Sequence, residues 1–305
     1  MAINKVVRAA LKALSYTEYD IKENLQMYRS FVNLTRKHIL KPLFKTWDFK
    51  IGSKNHNIPV RVFSPQVHGA NPVLLFFHGG GWVTGNIDTY NKVCTNMAKL
   101  TNSKVVSVDY RLAPENPFPA GLEDCYEAAK VFIANKVIND KEVILIGDSA
   151  GGNLAAAVSL LARDRKEFKV DKQILIYPST YNDHTENSPF RSIEENGRDY
   201  LLTTKRIRDY MDLYISKEED FYSPYFAPLL AHDLTMQPKT LIITAEYDPL
   251  RDEGEEYGKK LREAGNHVEI YRIKDGLHGF FSLPPRFPQV KLCYDIINRF
   301  IYEVN

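Results

Sequence analysis

Short, almost uninterrupted apolar runs recur along the chain: VLLFF at 73–77, VVSV at 105–108, VILI at 143–146, ILIY at 174–177, TLII at 240–243 and VEIYRI at 268–273. Between most of them, apolar residues spaced three and four apart mark helices near 88–100, 121–136, 151–165, 250–264 and 288–303. Buried strands alternating with helices predict an α/β fold, with a mostly parallel sheet flanked by helices on both faces. Upstream, TWDFKI and IPVRVF alternate polar and apolar positions around the turn-forming GSKNHN, which predicts two further strands.

Two segments stand outside this alternation. Ile3, Val6, Val7, Ala10, Leu11 and Leu14 form one helical stripe, and Ile21, Leu25, Tyr28, Phe31 and Val32 form another. Lys5, Arg8 and Lys12 could carry the first stripe to a membrane surface. Tyr16, Tyr19, Asp20 and Glu23 continue it with groups that an anionic bilayer would not attract, so packing on the protein is favoured. The second segment, 179–235, holds TTKRIRDYMDLYI between stretches rich in Pro, Asn and Ser. An insertion there would lie beyond the carboxyl ends of the strands, where open α/β sheets build binding sites. The expected organisation is an N-terminal helical part (1–45), a first part of the α/β core (46–178), an insertion (179–235) and a second part of the core (236–305).

Composition narrows the classes of partner. The chain has 305 residues, 44% hydrophobic, with 40 basic and 38 acidic side chains for a net charge of +2. That is ordinary for a globular protein and gives no basic block to meet nucleic acid. Lys5, Arg8 and Lys12 interrupt the N-terminus too often for a secretory h-region, and no window suits a transmembrane helix. Cys94, Cys125 and Cys293 are few, odd in number and far apart, which fits a reducing compartment and small buried residues on helices. A cytoplasmic location follows as the expectation, with no stable membrane association.

The chemistry concentrates at ILIGDSAGGN. A strand passing straight into a helix through Gly147-Asp148-Ser149-Ala150-Gly151 places Ser149 on a strained turn above the sheet, the geometry of a nucleophile elbow. The spacing lacks GxGxxG and the Lys-Ser/Thr of a P-loop, which disfavours phosphate binding. A serine needs a base. Of eight histidines, His38, His56, His68 and His232 lie in polar segments, His184 in the insertion, and His267 at a strand start. His278, in KDGLHGFF, follows a strand and precedes the last helix, where a base could reach Ser149. Its orienting acid is Asp248 in AEYDPLRDEG. Asp248 also suits an N-cap before Pro249, and Glu246, Asp252 and Glu253 are rivals, the last two as first-turn acids. The order Ser149, Asp248, His278 is that of α/β-hydrolases. In FFHGGGW, the glycines let backbone N–H groups approach an oxyanion. Gly80, Gly81 and Ala150 are the candidate donors.

HGGGW, VDYRLAPENPFPAGLEDC, GDSAGGN, AEYDPLRDEG and DGLHGF occur together, in order, between about Leu74 and Phe281. In this combination the chain resembles the hormone-sensitive-lipase-like family of bacterial esterases, in the α/β-hydrolase superfamily. The resemblance implies a structural role for His78, an oxyanion hole at Gly80 and Gly81, and a Ser149–Asp248–His278 triad. It implies a cap built from residues 1–45 and 179–235, and a structural, ion-paired corner at Asp109, Arg111 and Glu115. It also implies hydrolysis of short-chain acyl esters through an acyl-enzyme, without metal or organic cofactor, on a small-molecule ester substrate, in a fold that allows a homodimer. An amidase or peptidase would use the same triad. A non-catalytic small-molecule receptor on this fold would lack the histidine, which is present here. Proximity to the motifs makes Trp82, Asp88, Tyr90, Tyr181 and Phe280 candidates for the substrate pocket.

Overall fold

The structure is a computed structural model and describes residues 21–36, 46–52, 56–65, 72–134 and 142–303. The first expected N-terminal helix lies outside the described residues. The second is helix α1, Leu25–Arg36. Eight strands form one sheet in the order β1-β2-β4-β3-β5-β6-β7-β8. The hairpin β1 (Thr46–Gly52) and β2 (Asn57–Phe63) is antiparallel and joins β4 (Lys104–Val108) antiparallel. The remaining pairs are parallel and use β3 (Val73–Phe77), β5 (Val143–Asp148), β6 (Lys172–Ile176), β7 (Lys239–Tyr247) and β8 (Val268–Leu277).

The continuous apolar runs follow from burial on both faces. Leu75, Phe77 and Leu145 point into one core cluster and Leu74, Phe76, Ile144 and Ile146 into the other. The first cluster takes α3 (Ala120–Ile133), α4 (Ala150–Arg165) and α7 (Arg251–Glu263). The second takes α2 (Asn91–Leu100) and α8 (Pro288–Tyr302). Cys94, Cys125 and Cys293 are buried free thiols on α2, α3 and α8. Among the described residues, no helix is long and apolar enough to cross a membrane.

Two strands outrun their apolar runs. β7 continues through Ala245-Glu246-Tyr247, and β8 through Lys274 to Leu277 with a register shift between Ala245 and Tyr247. Glu246 sustains this extension by accepting the Asp275 N–H at 2.7 Å. Both strands therefore deliver their next residues, Asp248 and His278, to the same edge. Residues 179–235 carry α5 (Arg191–Asn196), α6 (Thr204–Tyr214) and two short 3-10 turns. Arg29 of α1 reaches the carbonyl of Val83 and pairs bidentately with Glu115, so α1 is tied to the loops around the strand ends.

Candidate active site

Steric room decides why GDSAGG must be glycine on either side of the serine. A Cβ on Gly147 would lie 2.1 Å from the Gly151 carbonyl oxygen, and one on Gly151 would lie 1.9 Å from that of Phe77. Backbone meets backbone at both positions, and no rotamer change relieves it. Between them Ser149 is held at φ 55°, ψ −119°, a conformation that costs a non-glycine residue about 1–3 kcal/mol. Its N–H donates to Ile176 and its C=O accepts from Asn153 at the start of α4. The surrounding ladder thus imposes the strain and aims the hydroxyl off the end of the sheet.

The parallel topology supplies the partners. His278 Nε2 lies 2.9 Å from Ser149 Oγ, and His278 Nδ1 lies 2.7 Å from Asp248 Oδ2. Asp248 is fully buried, and its Oδ1 accepts the Leu250 N–H at 2.9 Å. The carboxylate therefore closes the turn that leads into α7 while it faces the imidazole, although the N-cap position of α7 itself is Leu250 and not Asp248. The rivals are engaged elsewhere. Glu246 holds β8, Asp252 accepts the Ser192 N–H and pairs with Arg251, and Glu253 is buried against His184 at 2.6 Å.

The glycine loop after β3 is fixed to the elbow from below. Asp148 accepts the Gly79 N–H at 2.8 Å and the Tyr90 hydroxyl at 3.1 Å, with the Tyr177 hydroxyl at 3.4 Å. His78 is buried, stacks on Tyr110 at 4.3 Å and does not line the cavity. Gly80 (φ 124°) carries its chain so close to Thr84 that a Cβ would lie 2.2 Å from the Thr84 carbonyl oxygen. Gly80, Gly81 and Ala150 face the same cavity as Ser149, and no acceptor among the described residues takes their backbone N–H groups. An anion placed over Ser149 would find donors there at no reorganisation cost.

Asn153 joins the remaining parts. Its side-chain amide donates to the carbonyls of Ser179 and Phe226, and its Oδ1 accepts from Trp82 Nε1 at 3.3 Å. One residue of the elbow helix therefore holds the exit of β6, the segment 179–235 and the end of the glycine motif. Tyr177 packs its ring 4.7 Å from His278, and burial pushes its hydroxyl well above the usual tyrosine range. Sequence reasoning missed Asp148, Asn153 and Tyr177, although the first two lie inside the GDSAGGN motif.

The cavity over Ser149 measures about 340 Å³. Trp82 and Tyr90 line it, with Trp82 stacked on Tyr214 at 4.7 Å. Three other candidates do not reach it. Asp88 is exposed and pairs with Arg61. Tyr181 packs edge-on against Phe190, and Phe280 is buried behind Tyr177. Further side chains that line it come from α1 and the 179–235 segment, Tyr28, Val32, Leu201, Leu202, Arg206, Ile207 and Tyr210, with Leu250, Ser282 and Leu283 from elsewhere in the chain.

The expected corner of Asp109, Arg111 and Glu115 is not mutually paired. Asp109 accepts the Ile87 N–H, and burial raises its carboxyl above the ordinary range. Arg111 forks onto Asp124, while Glu115 pairs with Arg29, whose hydrogen bond lowers the Glu115 carboxyl. Each found a partner distant in sequence that spacing along DYRLAPE does not reveal.

Comparison with known proteins places this geometry in a family. Residues 74–282 match the family described as alpha/beta hydrolase fold. The chain is 35% identical over 295 residues to an arylesterase of Saccharolobus solfataricus, covering 95% of this chain and 94% of that protein. It is 31% identical over 235 residues to an ethyl acetate hydrolase of Pseudomonas putida, covering 75% and 73%. An esterase structure from Pyrobaculum calidifontis matches with a TM-score of 0.86 at 34% identity, over 98% of this chain and 97% of that one.

Proposed function

The chain belongs to the α/β-hydrolase family, in its hormone-sensitive-lipase-like branch, and from that premise we propose that it is a serine carboxylesterase. Ser149 is the nucleophile, His278 the base and Asp248 the acid that orients the imidazole. Ser149 Oγ gives its proton to His278 Nε2 and bonds to the ester carbonyl carbon. The oxyanion is met by Gly80, Gly81 and Ala150. His278 then protonates the departing alkoxide oxygen as its bond to the carbonyl carbon breaks, leaving an acyl-enzyme. Water, deprotonated by the same imidazole, releases the acid and restores the serine. The observation that carries this reading is the continuous relay from Asp248 Oδ2 through His278 to Ser149 Oγ, with contacts of 2.7 and 2.9 Å.

Short acyl esters are the proposed substrates. The cavity volume sits at the low end of the roughly 300–1,000 Å³ typical of small-molecule sites. A relative named for ethyl acetate hydrolysis points the same way. Residues 179–235, with α1, act as the cap, and Asp109, Arg111 and His78 serve the scaffold. A series of 4-nitrophenyl esters from acetate to dodecanoate tests this, run beside Ser149→Ala. Turnover should peak between acetyl and hexanoyl. Ser149→Ala should lose organophosphate labelling and about 10³-fold or more in rate. Labelling at another serine, or a long-chain optimum with interfacial activation, would reject the reading.

A further inference from the structure

Arg206 brings a positive charge into the cavity over Ser149 that the hydrolysis of a neutral ester does not use. It sits in the first turn of α6, where Thr203 caps its backbone N–H and no acidic residue balances the helix dipole. A cation at that end of a helix is electrostatically unfavourable. Arg206 is half-buried, and its Nη1 donates to the carbonyl of Leu201 at 2.7 Å. Leu201 itself is held at φ 70° and also lines the cavity, so this bond ties the guanidinium to the turn before α6. No carboxylate among the described residues pairs with Arg206, and its other side-chain N–H groups have no acceptor among them.

The contrast with the other partly buried arginines among the described residues is informative. Arg29, Arg61, Arg111, Arg163 and Arg251 all fork onto or pair with acidic side chains, and the other arginines without such a partner, Arg191, Arg198 and Arg208 among them, are exposed. Among the described residues, the acidic group that lines this cavity is Asp148, which is buried and accepts from Gly79, Tyr90 and Tyr177. Val32, Leu202 and Ile207 make the wall beside Arg206 largely apolar. A half-buried arginine with unspent donors, lining a cavity whose wall beside it is largely apolar, is complementary to a carboxylate.

We propose that Arg206 selects esters carrying a free carboxylate, such as the half-esters of short dicarboxylic acids. The ester carbonyl lies at Ser149 and the carboxylate at the cap. The inference rests on the esterase reading and deepens it by naming a substrate class. Chain-matched pairs test it: 4-nitrophenyl hemisuccinate and hemiglutarate against 4-nitrophenyl butyrate and pentanoate. A second arm, acetyl 4-hydroxybutyrate against butyl acetate, places the carboxylate on the alcohol side. The native protein should favour the anionic member of a pair by about 10- to 100-fold in kcat/KM, mainly through KM, since charged hydrogen bonds carry that factor. Raised salt should shrink the ratio. Arg206→Gln, which keeps a donor for Leu201, should reverse the preference, and Arg206→Lys should retain part of it. Melting temperature and fluorophosphonate labelling of each variant separate selectivity from folding and from loss of the nucleophile. A native protein that hydrolyses both members equally, or an Arg206→Gln protein with an unchanged ratio, overturns the Arg206 assignment and leaves the esterase reading standing. Failure of the native protein to hydrolyse any ester or to be labelled overturns both.

Discussion

Replacing Asp248 by asparagine changes one atom pair and should stop the reaction. Asp248 Oδ1 accepts the Leu250 N–H at 2.9 Å, and Oδ2 lies 2.7 Å from His278 Nδ1. In Asp248→Asn the amide oxygen must stay on Leu250. Turning it over would bring the amide NH2 against a backbone N–H at a fully buried position. That reversal costs about 1–3 kcal/mol in an orphaned donor. The NH2 group therefore faces Nδ1, which can then only accept. The ring proton moves to Nε2 and points at Ser149 Oγ, 2.9 Å away, where a lone pair is required. The missing charge also removes stabilisation of the imidazolium. Together these effects predict a loss of roughly 10⁴ in kcat, about 5.5 kcal/mol, with little change in KM. Stability should hardly move, because the substitution is isosteric and keeps the Leu250 bond. Kinetics with 4-nitrophenyl acetate and a thermal melt would be read beside Asp252→Asn and Glu246→Gln, each expected within tenfold of the native rate. An Asp248→Asn protein within tenfold of native, or an Asp252→Asn protein worse at equal melting temperature, would refute the assignment.

His278→Ala should lose about 10³-fold or more in kcat with 4-nitrophenyl acetate while keeping its melting temperature, and a near-native rate would identify another base. Gly80→Ala must place a Cβ 2.2 Å from the Thr84 carbonyl oxygen at φ 124°. The distorted loop should cost roughly 10²–10³ in kcat in protein that still folds, judged by the urea midpoint, and full activity would remove Gly80 from the oxyanion hole. The Arg29–Glu115 pair should weaken in acid. Glu115 has its carboxyl lowered by the Arg29 hydrogen bond, so its contribution is complete above the unfolded-state value and fades as pH falls through the lower folded one. Hydrogen exchange over α1 should speed up as pH falls below the ordinary carboxylate range, and Glu115→Gln should bring that faster exchange to neutral pH. Exchange unaffected by either change would show that α1 is held by its apolar contacts alone.

What the sequence made legible depended on how local the cause was. The strand runs, the elbow and the order of Ser149, Asp248 and His278 could be read because each is written in consecutive residues. The parallel sheet then carries these residues to one edge without further information. The Gly147 and Gly151 requirement is equally local, since the atoms in conflict belong to the same turn or to the adjacent strand. Contacts made across the fold were misread. Asp109, Arg111 and Glu115 stand within seven residues of one another, yet their partners are Ile87, Asp124 and Arg29. Tyr181 and Phe280 neighbour motifs in sequence and face away from the cavity, because the backbone beside a motif residue turns its next side chains into the core. Arg206 was invisible for the opposite reason. It belongs to a polar helix with no motif, and only the fold of 179–235 brings it over Ser149. In this architecture the sheet fixes what bond is attacked, and its sequence signature is strong. The wall of the cavity over Ser149 also draws on α1 and residues 179–235, segments whose composition resembles any solvated helix. Substrate choice is therefore the part of the function that must be read from assembled geometry, and the role proposed for Arg206 rests on geometry of that kind.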